Sequence, residues 1–118
     1  MYKYLNKNPI GRDVEDCVLR SISLAEGKSW RETYRELSEL AIDEGLMLNS
    51  VEFVEEYLDK RYDRQCHTAK TVEEFANEHR RGRYLVTMPN HITCIIDGVI
   101  YDTFNPAHRI MRCAWRVE

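Results

Sequence analysis

The chain changes its hydrophobic period once, at Gly82, and that switch restricts the folds open to it. Ahead of Gly82, apolar residues recur at helical spacing: Val18, Ile22 and Ala25, then Trp30, Tyr34, Leu37, Leu40 and Ala41. Ser29 with Glu32 reads as a capping box for the second helix and Gly45 as its stop. A third helix starts at Ser50 and carries Val51, Val54, Tyr57 and Leu58; a fourth starts at Thr71, where Glu74 completes another capping box, and stops at Gly82. Beyond Gly82 the period is two. RYLVTM (83–88), HITCII (91–96), VIYDTF (99–104) and IMRCAWRV (110–117) are rich in β-branched and aromatic residues, and Asp97-Gly98 is a two-residue hairpin signal. Helices followed by a meander of strands predict an α+β fold, with N-terminal helices packed on one face of a C-terminal antiparallel sheet.

With 118 residues the chain is sized for a single domain spanning 1–118. An apolar fraction of 43%, a charged fraction of 31% and a net charge of -3 are those of an ordinary soluble protein and call for neither a nucleic-acid nor a membrane partner. MYKYLNKNPIG lacks the apolar core of a signal peptide, and no apolar run approaches the ~20 residues of a membrane span, so an intracellular, cytoplasmic location is expected. Cys17, Cys66, Cys94 and Cys113 are scattered without a CxxC pair, and reduced thiols are the expectation. No glycine-rich phosphate loop, HExxH or GxSxG is present, and no cofactor is expected.

In GRDVEDCVLRSISLAEG (11–27), Asp16 is a good N-cap, which places Cys17 in the first helical turn, where free N–H groups and the helix dipole favour a thiolate. Asp13, Glu15 and Asp16 oppose this, since nearby negative charge raises a thiol pKa. Activation therefore calls for an imidazole held by a third group. With Asp97-Gly98 as the turn, Ile96 faces Val99, Thr93 faces Asp102 and His91 faces Phe104, so His91, Thr93, Asp102 and Phe104 share a face. His91 and Asp102 become diagonal neighbours with Cα atoms roughly 7–8 Å apart, within reach of an imidazole–carboxylate hydrogen bond.

DCVLRSI…HITCIIDGVIYDTFNP resembles the papain-like cysteine peptidases, in which a cysteine opens the first helix and a histidine and an aspartate or asparagine follow on adjacent strands. It is most similar to compact bacterial members such as the bacteriocin-leader peptidases. The resemblance implies a papain-like fold, a peptide or protein substrate, Cys17 as nucleophile, His91 as general base and acid, and Asp102 as the orienting group. It departs from the family where a glutamine or equivalent amide precedes the cysteine: this chain has Gly11, Arg12 and Asp13 there. The Cys17 backbone N–H is then one oxyanion donor and Asn8, in an Asn-Pro pair, the expected second; a lost donor costs on the order of 10²–10³ in rate. A catalytically silent papain-like domain that binds a peptide or partner protein is the alternative.

Each residue also has a simpler reading. Cys17 reads equally as a small buried hydrophobe and His91 as a structural histidine. Asn105 replaces Asp102 as third group if the strand carries a bulge. A zinc site would draw on Cys66, His67, His91, Cys94 and Cys113, but His91 and Cys94 fall on opposite strand faces. The arginines of HRRGR (79–83) suit a helix C-terminus in solvent, the stripes through Trp30, Tyr34 and Val51 suit a core, and Arg20 pairs with Asp13 or Glu15, or contacts substrate.

Overall fold

The computed structural model describes residues 1–118 and places four helices and six strands in one α+β unit. Helix α1 runs Cys17–Glu26, α2 Trp30–Glu44, α3 Val51–Asp59 and α4 Val72–Glu78. Ser29 and Thr71 close the predicted capping boxes with Glu32 and Glu74, and Ser50 caps α3 through the Phe53 N–H. α2 ends at Gly45, whose left-handed backbone returns its N–H to carbonyls of the last turn. α4 stops short of Gly82: His79 leaves the helix and its imidazole bonds the Phe75 carbonyl.

The strands are β1 (Tyr2–Tyr4), β2 (Arg64–Cys66), β3 (Arg83–Met88), β4 (His91–Ile96), β5 (Val99–Asp102) and β6 (Cys113–Arg116). They form one sheet in the order β1-β5-β4-β3-β6-β2. The expected all-antiparallel meander is corrected in two respects: β1 joins β5 in parallel, and β6 crosses over to pair with β3. Two tight turns set the central register. Asp97 and Gly98 both take positive φ and pair Ile96 with Val99; Pro89-Asn90, with Asn90 at φ 60°, pairs Met88 with His91.

Alternation along the strands divides the core. Leu85, Ile92, Cys94 and Trp115 face α1, α2 and α3, while Tyr84, Val86, Ile95 and Ile100 face α4 and the segment bearing Ala107 and Met111. The sheet is thus covered on both faces, where one covered face was expected. The period-two reading fixed which residues alternate but not that both sides are apolar. The helical stripes are core only in part: Leu37, Ala41, Val54 and Leu58 are buried, whereas Tyr34 and Val51 are exposed. Tyr34 instead packs edge-on against Trp30.

Gly82 joins the two halves where a side chain has no room, since a Cβ there would lie 2.4 Å from the Glu118 carbonyl oxygen, and its φ of 97° suits glycine. The expectation of four reduced thiols is also corrected. β2, too short and polar to register as a strand, lies against β6 so that Cys66 faces Cys113 across the ladder with Cα atoms 4.0 Å apart, and the two form a disulfide. This bond closes a sequence separation of 47 residues around α4, β3, β4 and β5. Cys113→Ser is expected to lower unfolding free energy by on the order of 2–4 kcal/mol. Denaturant unfolding with and without reductant checks this: reduced wild type should match the variant, and an unfolding curve indifferent to reductant contradicts it.

Candidate functional site

The segment ahead of α1 is folded by two asparagines. Asn6 Oδ1 accepts from the Asn8 N–H, and Asn8 Oδ1 accepts from the N–H groups of Ile10 and Arg12. Its amide Nδ2 donates to Asp16 Oδ2 at 3.3 Å. Asn8 is therefore a buried loop anchor, lining a cavity next to the one that holds Cys17.

Cys17 is the first residue of α1, as the sequence predicts, and it is half-buried. Asp16 occupies the N-cap position without capping, because its carboxylate is turned away to Arg20 Nε (2.7 Å), Trp30 Nε1 (2.9 Å) and Asn8. The Pro89-Asn90 turn delivers His91 at the start of β4, and the β4–β5 hairpin runs in the predicted register from Ile96–Val99 to Cys94–Tyr101. Asp102 ends β5. β1 secures it there, since the Asp102 carbonyl accepts from the Leu5 N–H and from Tyr2 Oη.

The three residues meet. His91 Nε2 lies 2.7 Å from Asp102 Oδ2, which leaves Nδ1 for the Cys17 side, and Cys17, His91 and Ile92 line one cavity wall, with thiol and imidazole close enough to shift each other's pKa. Ile92 is fixed in turn by Ser21 on α1, whose hydroxyl donates to its carbonyl at 3.0 Å. Asn105 does not reach His91; its Oδ1 accepts from the Ala107 N–H. The Phe104 ring covers His91 with centroids 4.7 Å apart, and the Arg109 guanidinium sits over Phe104.

Charge follows from these contacts. Burial pushes the Cys17 thiol up, but the hydrogen bond and positive charge of His91, the Ile92 N–H and Arg20 outweigh it and bring the pKa below its ordinary value. Burial alone lowers the His91 pKa, and the partners Asp102 and Cys17 reverse that and raise it to about 9. Burial also works against the Asp102 carboxylate, whose bond from His91 holds its pKa below the usual carboxyl range. Cys94, sealed inside the sheet, is pushed up by burial to about 12.

Cys17 and His91 open onto a cavity of about 570 Å³ that is also lined by Val51, Asn49, Asn90 and Arg112. It shares Val14, Glu15, Val18 and Asn49 with the adjoining cavity of about 480 Å³, whose wall includes Ile10, Trp30, Tyr34 and Met47. The zinc donors weighed from sequence do not assemble: Cys66 and Cys113 are bonded to each other, His67 contacts Gln65, and no group of three or more His, Cys, Asp or Glu is placed as metal ligands. No helix is long and apolar enough to cross a membrane. Arg80 and Arg81 are exposed at the end of α4.

Sequence reasoning missed the partners of Arg20. It pairs with Asp16 and with Asp102 (Nη1–Oδ1 3.0 Å), not with Asp13 or Glu15. The i,i+4 spacing of Asp16 and Arg20 on one helix face was the available signal; the reach to Asp102 had none. No protein-family model, curated protein or solved structure matches the chain.

Asp102→Asn is expected to reduce stability by on the order of 3 kcal/mol near neutral pH, because Arg20 and His91 lose a buried charged partner. The depressed carboxyl of Asp102 contributes above its ordinary pKa of about 3.9 and loses that contribution as pH falls through its lower folded value. The raised imidazole contributes fully below its ordinary 6.5 and loses its contribution as pH rises through about 9. The gap between wild type and variant should therefore narrow in acid and again in alkali. Denaturant titrations across pH measure the gap, and a pH-independent difference contradicts this origin.

Proposed function

We propose that the chain is a thiol hydrolase of papain-like architecture acting on a peptide or amide bond, with Cys17 as nucleophile, His91 as acid and base and Asp102 as its orienting group. The observation that supports this most is geometric: the Cys17 thiol at the start of α1 and the Asp102-bound His91 imidazole line the wall of one open cavity, and each shifts the other's pKa toward its charged form. Such a pair stores the proton on nitrogen before substrate arrives, so attack needs no prior deprotonation.

In this reading the Cys17 thiolate adds to the carbonyl carbon, and the π electrons pass to oxygen. Collapse of the tetrahedral adduct expels the amine, which takes the proton of the His91 imidazolium and leaves a thioester. His91, now neutral, removes a proton from water as the hydroxide adds to the thioester carbonyl. Collapse releases the carboxylic acid, whose proton is lost to solvent, and restores the thiolate and the imidazolium. Asp102 holds the imidazole with Nδ1 toward sulfur throughout. The Cys17 N–H serves as one oxyanion donor. Asn8 is withdrawn as the second, because its amide is spent on Asp16; Asn49 and Asn90 are exposed in the same cavity as Cys17 and take its place as candidates. The apolar wall of the adjoining cavity suits an aliphatic or aromatic side chain of a peptide substrate.

The displaced Asn8 is also what favours the second reading, a catalytically silent domain that binds a peptide or partner protein. Alkylation by iodoacetamide, followed cysteine by cysteine against pH, separates the two. Hydrolase chemistry predicts selective modification of Cys17 with an apparent pKa below the ordinary value of about 8.5. That advantage should vanish in His91→Ala, while Cys94 stays unmodified in both proteins and Cys66 and Cys113 react only after reduction. A Cys17 that reacts no faster than an ordinary thiol, or as fast in His91→Ala, removes the hydrolase reading in favour of the binding domain.

A further inference from the structure

Arg20 is a charged side chain with only 8% of its surface exposed, on the helix that Cys17 opens and one turn further along. Its guanidinium lies between two carboxylates that are themselves buried, Asp16 at 7% and Asp102 at 3% exposure. Nε donates to Asp16 Oδ1 at 2.7 Å, and Nη1 donates to Asp102 Oδ1 at 3.0 Å and to Thr103 Oγ1 at 3.1 Å. We propose that Arg20 is a positioning residue for the Cys17–His91 pair, acting through Asp102. The inference rests on the thiol-hydrolase reading of the site.

The geometry assigns the two Asp102 oxygens to different partners. Oδ1 takes Arg20 and the Thr103 N–H, and Oδ2 takes His91 Nε2. With Oδ1 held from two directions the carboxylate cannot rotate, and Oδ2 stays aimed at the imidazole. Asp16 fixes the other end of the fork. It is anchored independently of the sheet by Trp30 on α2 and by Asn8, so Arg20 ties the residue next to Cys17 to the residue that orients His91. Arg20 thereby ties helix to sheet on the Asp102 side of the base, beside the Ser21–Ile92 bond that ties α1 to β4.

Acidic and basic side chains alternate along this path, Asp16, Arg20, Asp102 and His91, and it ends at the Cys17 thiol. The other ionisable groups on the cavity wall, Asp13, Glu15, Glu55 and Arg112, make no ion pair with any of these five. Lysine does not reproduce the arrangement, because an ammonium lacks the planar fork that meets two carboxylates along fixed directions.

The test is the pH profile of Cys17 alkylation by iodoacetamide in wild type, Arg20→Met, Asp102→Asn, the double variant and His91→Ala, with folding of each verified by thermal unfolding. Arg20→Met is expected to raise the apparent pKa of Cys17 alkylation by about one unit, which slows the modification by about tenfold at a pH well below that pKa. In the Asp102→Asn background the same substitution should add no more than about twofold, because two residues acting along one path are not additive. A buried arginine that only stabilises the fold would lower the melting temperature and leave the alkylation profile of the folded protein unchanged; that result overturns the proposal, as does full additivity of the two substitutions. If Arg20→Met does not fold, Arg20→Lys replaces it, and a wild-type profile in Arg20→Lys overturns the clamp. Failure of the hydrolase reading is a separate result, since it shows as an unreactive Cys17 in wild type or an unchanged one in His91→Ala.

Discussion

Two carboxylates, Asp16 and Asp102, are buried within reach of one guanidinium, and an unpaired buried charge costs several kcal/mol. That penalty determines how α1 lies on the sheet. A displacement large enough to part Arg20 from Asp102 strands one charge on the helix and another on β5, so the seam between them admits few arrangements. Around it the apolar contacts of Val18, Leu19 and Ile22 with Leu85 and Ile92 supply cohesion without direction. The ion pairs supply the direction.

Everything proposed for Cys17 follows from that placement. A cysteine at a helix N-terminus flanked by acidic residues has no reason to ionise by itself, and burial works against it further. His91 changes the balance because Asp102 holds it protonated and aimed, and Asp102 can do so because β1 grips its carbonyl while Arg20 grips its carboxylate. The edge strand Tyr2–Tyr4 and the interior residue Arg20 lie on different elements, yet both hold Asp102, one by its backbone carbonyl and the other by its carboxylate.

Local signals made much of this legible in the sequence. Capping residues Ser29, Ser50 and Thr71 marked three helix starts, and Asp97-Gly98 set the register that puts His91 and Asp102 on a common face. These are short-range effects, decided by a few neighbouring residues. What escaped was long-range. Tyr-Lys-Tyr and Arg-Gln-Cys are too short to show a period, so β1 and β2 went unseen, and with β2 went the Cys66–Cys113 bond. The cover on the second face of the sheet escaped because it is shared between α4, a helix of seven residues, and the irregular segment between β5 and β6 that bears Ala107 and Met111. Asn8 was assigned by proximity in sequence to Cys17, whereas its amide turns to Asp16; Arg20 was assigned to adjacent acids, whereas a partner 82 residues away completes its fork.

The central claim is that Cys17 and His91 share charge in the resting protein, and NMR titration of the His91 ring tests it most directly. The structure predicts a His91 pKa of about 9 in wild type, falling in Cys17→Ala because one of the two partners that favour the imidazolium is gone. A His91 that titrates near the ordinary 6.5 and is indifferent to Cys17→Ala would contradict the ion pair and the chemistry built on it.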